Sequence, residues 1–132
     1  MKRKYGLKLI LPLVLLIVIM GMTIVDAYTE YNYYETALPL VGERTLATGI
    51  KTDSSVETAD NNPGYCQNSF LCRIDRLSGG SWVENSADYL MQSYTPQAIY
   101  YKNVTEGITV RLRAWRYGIL NGGVVQGSIW FY

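Results

Sequence analysis

Hydrophobic and polar positions are arranged in two different ways along this chain. From Leu9 to Val25 the residues are almost uninterruptedly apolar, whereas from Arg44 onward they form short period-two runs separated by clusters of Gly, Asn, Pro and Ser. Period two places successive side chains on opposite faces of a strand. No stretch carries the 3.6-residue period of an amphipathic helix. The expected fold is therefore all-β, a small antiparallel β-sandwich of about six to eight short strands behind an N-terminal signal peptide.

The runs expected as strands are Thr45 to Thr52, Ser55 to Thr58, Phe70 to Leu77, Trp82 to Glu84, Tyr89 to Ser93, Ala98 to Val104, Ile108 to Tyr117 and Val124 to Phe131. In the first of these Leu46, Thr48 and Ile50 share one face. The expected separators are Asp60-Asn61-Asn62-Pro63-Gly64, Ser78-Gly79-Gly80, Thr105-Glu106-Gly107 and Asn121-Gly122-Gly123, because Gly and Asn reach the positive backbone angles of tight turns. The clearest strand is 108–114, with Ile108, Val110, Leu112 and Ala114 facing inward and Thr109, Arg111 and Arg113 outward. Its expected partner is Val124 to Phe131, folded back across the Asn-Gly-Gly turn.

The long apolar run has a different meaning. Lys2-Arg3-Lys4 precedes it and Val25-Asp26-Ala27 closes it, the layout of a secretory signal peptide cleaved after Ala27. The alternative is an uncleaved anchor, for which 17 residues is short against the roughly 20 of a spanning helix. Three segments are thus expected: a signal peptide over 1–27, a Tyr-rich arm or edge strand over 28–43, and the sandwich over 44–132. The location is secreted or cell-surface, outside the cytoplasm.

Charge narrows the partners. Lys2, Arg3, Lys4 and Lys8 fall in the leader, leaving eight basic and ten acidic residues from Tyr28 onward. Nucleic acids are held by clustered Lys and Arg that neutralise phosphates, so a mildly acidic domain without a basic run argues against a nucleic-acid partner. The same count disfavours adhesion to anionic membranes after leader cleavage.

Cys66 and Cys72 would lie about 20 Å apart on one extended strand, beyond the 4.4–6.8 Å span of a disulfide. A turn at Gln67-Asn68-Ser69 brings them together, and a structural disulfide worth about 2 to 3 kcal/mol is expected, with two buried thiols as the alternative. The spacing is not that of a redox pair, and no metal or cofactor site is expected. The chain contains no histidine, which removes Ser-His-Asp and Cys-His catalysis. Carboxylate-only chemistry would have to draw on Glu35, Glu43, Glu57, Asp60, Asp75, Glu84, Asp88 and Glu106, none of which sits in a motif. No catalytic residue is expected, and the chain reads as a non-enzyme.

Aromatic residues are the most unusual feature, with eleven tyrosines and three tryptophans behind the leader. Such side chains suit protein interfaces and sugar-stacking surfaces. Trp82 and Trp130 are expected in the core. Arg111, Arg113, Trp115 and Tyr117 should share an outward face, a cationic and aromatic stripe that is the candidate binding surface. The competing reading of that stripe is a solvated face paired with acids on the next strand.

The stretch from Tyr101 to Ala114, followed by Val125-Gln126-Gly127-Ser128-Ile129-Trp130, resembles small exported proteins of Gram-positive bacteria, in which a tyrosine, an N-V-x-x-G turn and a V-R-L-R strand precede a closing strand with V-x-G and Trp. The resemblance implies location and fold, and some such proteins accompany secreted antibacterial peptides. This chain departs by one residue inserted before Trp130 and by its cysteine pair. The functional expectation is an exported module that binds a protein or cell-envelope component through a Tyr/Trp/Arg surface. The alternative is a secreted, bacteriocin-like antibacterial protein or toxin acting on neighbouring cells.

Overall fold

A computed structural model describes residues 31–118 and 123–132. The expected leader and the turn residues Asn121 and Gly122 lie outside the described residues. Nine strands are present among the described residues: β1 (Asn32–Ala37), β2 (Arg44–Ile50), β3 (Thr58–Cys66), β4 (Phe70–Ser78), β5 (Ser81–Glu84), β6 (Tyr89–Met91), β7 (Gln97–Tyr100), β8 (Thr109–Arg116) and β9 (Val124–Trp130).

They form two antiparallel sheets, the first in the order β1-β9-β3-β7 and the second in the order β2-β8-β4-β5, with β6 also paired to β4. β5 and β6 share one edge of β4 end to end, since β6 takes residues 70–72 and β5 takes residues 75–78. The inner faces meet in one core. Ala59, Ile99, Val125 and Ile129 come from the first sheet, and Phe70, Cys72, Ile74, Met91, Val110, Leu112 and Ala114 from the second. This is the expected β-sandwich.

The alternation in β8 is as the sequence reads, with Val110, Leu112 and Ala114 fully buried. The β4–β5 hairpin turns at Gly79 and Gly80, both at positive φ (57° and 81°), where a side chain would be strained. The Tyr-rich segment supplies β1, an edge strand of the first sheet.

Other expectations are corrected. β8 and β9 do not form a hairpin. β8 lies between β2 and β4, and β9 between β1 and β3. Each strand has an inward apolar row and both edges occupied, so neither has an edge left for the other, and the two strands stand in different sheets.

The segment Asp60-Asn61-Asn62-Pro63-Gly64 is not a turn but the middle of β3. A proline inside a strand removes a ladder donor. It is accommodated because β7 pairs only with Thr58 to Asn61 and because the register against β9 shifts between Pro63 and Cys66. Asn61, fully buried, is satisfied by the Tyr34 hydroxyl, which donates to its Oδ1 at 3.0 Å, and by its own amide donating to Met91 Sδ at 3.3 Å.

In β2 a bulge between Thr45 and Ala47 shifts the faces by one residue. Ala47 is buried while Thr48 and Ile50 are exposed. Gly49 then faces Phe131, whose ring would lie 2.6 Å from any added Cβ.

The expected disulfide is absent: Cys66 and Cys72 are both buried free thiols. The segment between them does turn, but it carries the chain from one sheet to the other, and the sulfurs have different surroundings. Cys66 ends β3, with its Sγ 3.8 Å from the Gly64 carbonyl and its N–H donating to Ser93 Oγ at 2.9 Å. Cys72 sits mid-sheet between Tyr89 and Ala114.

Trp82 and Trp130 are not core residues either. Trp82 is exposed on the outside of the second sheet, and Trp130 is half-buried on the outside of the first.

One cation is fully buried. The Lys51 ammonium donates to the main-chain oxygens of Asp53, of Val56 at 2.6 Å and of Tyr132 at 3.4 Å, and lies 4.6 Å from the Tyr101 ring centre. Burial pushes its pKa below the ordinary lysine value, partly opposed by Asp53 and Glu106.

Candidate functional site

The sandwich offers two outer faces of opposite character. On the second sheet, strand alternation points Arg73 and Asp75 of β4 outward beside Arg111, Arg113 and Trp115 of β8. The cross-strand pairs are Asp75 with Arg111, Arg73 with Arg113, and Leu71 with Trp115. Asp75 is 1% exposed although it stands on an outer face.

Three guanidiniums roof it. Arg111 reaches Asp75 Oδ2 through Nε at 3.1 Å and Nη2 at 3.0 Å, Arg113 reaches the same oxygen at 2.9 Å, and Arg73 donates to Oδ1 at 3.0 Å. Arg73 also binds Glu84 at 2.7 Å and lies 3.7 Å from Asp88, Arg113 pairs with Glu43, and Lys102 reaches Glu84 at 3.3 Å. Trp82 covers Arg111 at 4.3 Å, and Trp115 lies 5.4 Å from Arg73, both in cation–π range.

Arg111, Arg113 and Trp115 share this outward face, but the two arginines are committed to acids of the same face. Arg111 and Arg113 retain only 18% and 20% side-chain exposure. Tyr117, just past β8, is 55% exposed. Ion pairs made within the face leave its arginines little capacity for an outside anion.

The first sheet is built differently. β1 points Tyr33 and Glu35 outward, β9 points Gln126, Ser128 and Trp130 outward, and β3 does the same with Asp60 and Asn62. The register brings Tyr33 opposite Ser128, Glu35 opposite Gln126, Asn62 opposite Ser128, and Asp60 opposite Trp130.

Along one end runs an aromatic row. Tyr31 packs against Tyr33 with ring centres 6.4 Å apart and against Trp130 at 4.6 Å, and Trp130 stacks on Tyr132 at 4.8 Å. Tyr33 is 82% and Tyr31 44% exposed. The Tyr132 hydroxyl donates to Asp60 Oδ2 at 2.6 Å. That bond, then burial and the Asp60 charge, push the phenol up to about 12.

Beside the row lies an open trough of about 540 Å³, lined by Tyr33, Glu35, Asn62, Gly64, Gln126 and Ser128 over the inward-turned Tyr34 and Gly127. A smaller depression of about 270 Å³ continues past Asn62 toward Asp60 and Gln97. Gly127 leaves the space that Tyr34 fills, since an added Cβ would meet the phenol and the Asn62 carbonyl. Gly64 of β3 lines the trough without a side chain.

The tyrosine cluster at 28–34 is plain in the sequence, but the placement of β1 against β9 is not. The only signal was the outward series Gln126, Ser128, Trp130 and Tyr132 at two-residue spacing. Among the described residues no group of three His, Cys, Asp or Glu side chains is placed to hold a metal ion, and no helix is long and apolar enough to cross a membrane. Compared with known protein families, curated proteins and solved structures, the chain matches none.

Proposed function

We propose that this chain is an exported, non-enzymatic binding module that attaches to a cell-envelope or protein partner through the outer face of its first sheet. Export is supported by the basic start and the apolar run of residues 9–25. The observation that carries the binding role is the contiguous row of Tyr33, Tyr31, Trp130 and Tyr132 on an exposed sheet face. Rigid aromatic side chains of this kind dominate binding energetics, and a patch of them at the surface of a small domain marks an interaction site. The Arg111/Arg113 face supports this assignment by contrast, because its charges are already paired.

Sedimentation of the purified protein with bacterial envelope fragments tests the proposal. Wild type is expected in the pellet, and the Tyr31→Ala/Tyr33→Ala variant in the supernatant with its melting temperature nearly unchanged. Equal pelleting of the two proteins would reject this face.

A further inference from the structure

We infer that the trough beside the aromatic row is a subsite for a neutral carbohydrate chain. This rests on the reading just given and narrows its partner to a glycan.

Three observations converge. The first is the pairing state of the polar side chains. Glu35, Asn62, Gln126 and Ser128 line the trough from three adjacent strands, and among the described residues none of the four side chains has a hydrogen-bond or ion-pair partner. The opposite face of the molecule, with its acids and arginines joined in one network, shows what a closed polar surface looks like in this fold.

The second is the kind of groups present. Two carboxamides and a hydroxyl each offer donors and acceptors, and a carboxylate accepts twice over. Sugar hydroxyls are themselves both donor and acceptor, and adjacent hydroxyls match the two ends of an amide. Tyr33, the most exposed ring of the face, supplies a flat apolar surface at the trough edge for the C–H side of a pyranose, with its own hydroxyl left in water.

The third is charge and shape. No Lys or Arg lines the trough, and its one formal charge is the Glu35 carboxylate, with Asp60 in the adjoining depression. Such a surface repels phosphates and uronates, which selects an uncharged polymer. The trough is open and shares Asn62 with the second depression, a form that follows a chain across the sheet and does not enclose a single small molecule.

Calorimetric titration with chitohexaose and cellohexaose, and with polygalacturonate as the anionic control, tests this. Saturable binding of at least one neutral hexasaccharide is expected, with no binding of polygalacturonate. Tyr33→Ala and Gln126→Ala, both surface truncations, should each weaken it about tenfold at unchanged melting temperature. Failure of both neutral sugars to bind, preference for polygalacturonate, or affinity untouched by both variants would overturn the inference. Tyr33-dependent sedimentation with envelopes, combined with no hexasaccharide binding, sinks the glycan subsite and keeps the attachment role. Hexasaccharide binding without envelope sedimentation does the reverse.

Discussion

Arg73 and Arg113 stand directly opposite each other on adjacent strands β4 and β8, a pairing of like charges that is normally unfavourable. It persists because each donates to a different oxygen of Asp75, two residues further along β4 from Arg73. The carboxylate is thus the keystone of the outer face of the second sheet.

Asp75→Asn should therefore cost more than an ordinary surface change. Removing one partner from a desolvated ion cluster leaves the other charges uncompensated, and a loss of about 3 kcal/mol is expected. Urea unfolding measures it. A loss no larger than that of an exposed salt bridge would show that water, not Asp75, balances the three guanidiniums.

Gly127→Ala and Gly64→Ala form a matched pair on neighbouring strands. At 127 a Cβ meets the Tyr34 phenol and a main-chain carbonyl, while at 64 its nearest neighbour is 3.6 Å away. Overpacking at 127 should destabilise by about 2 kcal/mol. The change at 64 should be neutral or stabilise by about 0.5 kcal/mol through the unfolded chain. Thermal melts of the two variants, compared with wild type, decide it.

Tyr132 gives a pH signature. Its phenol is held up to about 12 from 10.0 by donating to Asp60. Because the folded state keeps this proton more tightly, the bond contributes stability that is complete below about pH 10 and is lost as pH rises toward 12. Asp60→Asn should return one late-titrating tyrosine toward its ordinary range in an ultraviolet titration. An unchanged titration curve would remove the Tyr132–Asp60 bond from the account.

The thiols should be silent in the folded protein. Burial raises both above the ordinary cysteine pKa, Cys72 more strongly than Cys66, and only the thiolate reacts. Alkylation at neutral pH is expected to label neither until denaturant is added, with Cys66, the less buried, labelled first as the structure loosens. An intact mass lower by about two hydrogens would restore the cystine expected from the sequence.

What could be read from the chain, and what could not, divides along physical lines. Local rules were sufficient for β8, whose inward row needs only alternation, and for Gly79-Gly80, whose conformation few other residues adopt. Asn61 and Pro63 misled because their strand environment depends on distant partners. Tyr34 satisfies the buried amide from 27 residues away, and the end of β7 leaves Pro63 an open edge. The Asn-Gly-Gly turn suggested a hairpin, yet β8 and β9 each needed two neighbours that the sequence does not name. Trp82 and Trp130 looked like core filling because size alone favours burial. One instead shields an arginine, and the other stands in the aromatic row.

The same crossing of β8 and β9 to opposite sheets bears on the order in which the molecule can be assembled. Residues 32–116 hold every strand of the second sheet, but without 124–130 the strand β1 loses its ladder partner and β3 its longer one. A chain emerging N-terminus first would carry one finished layer and one gap, its apolar side facing water until the ninth strand arrived.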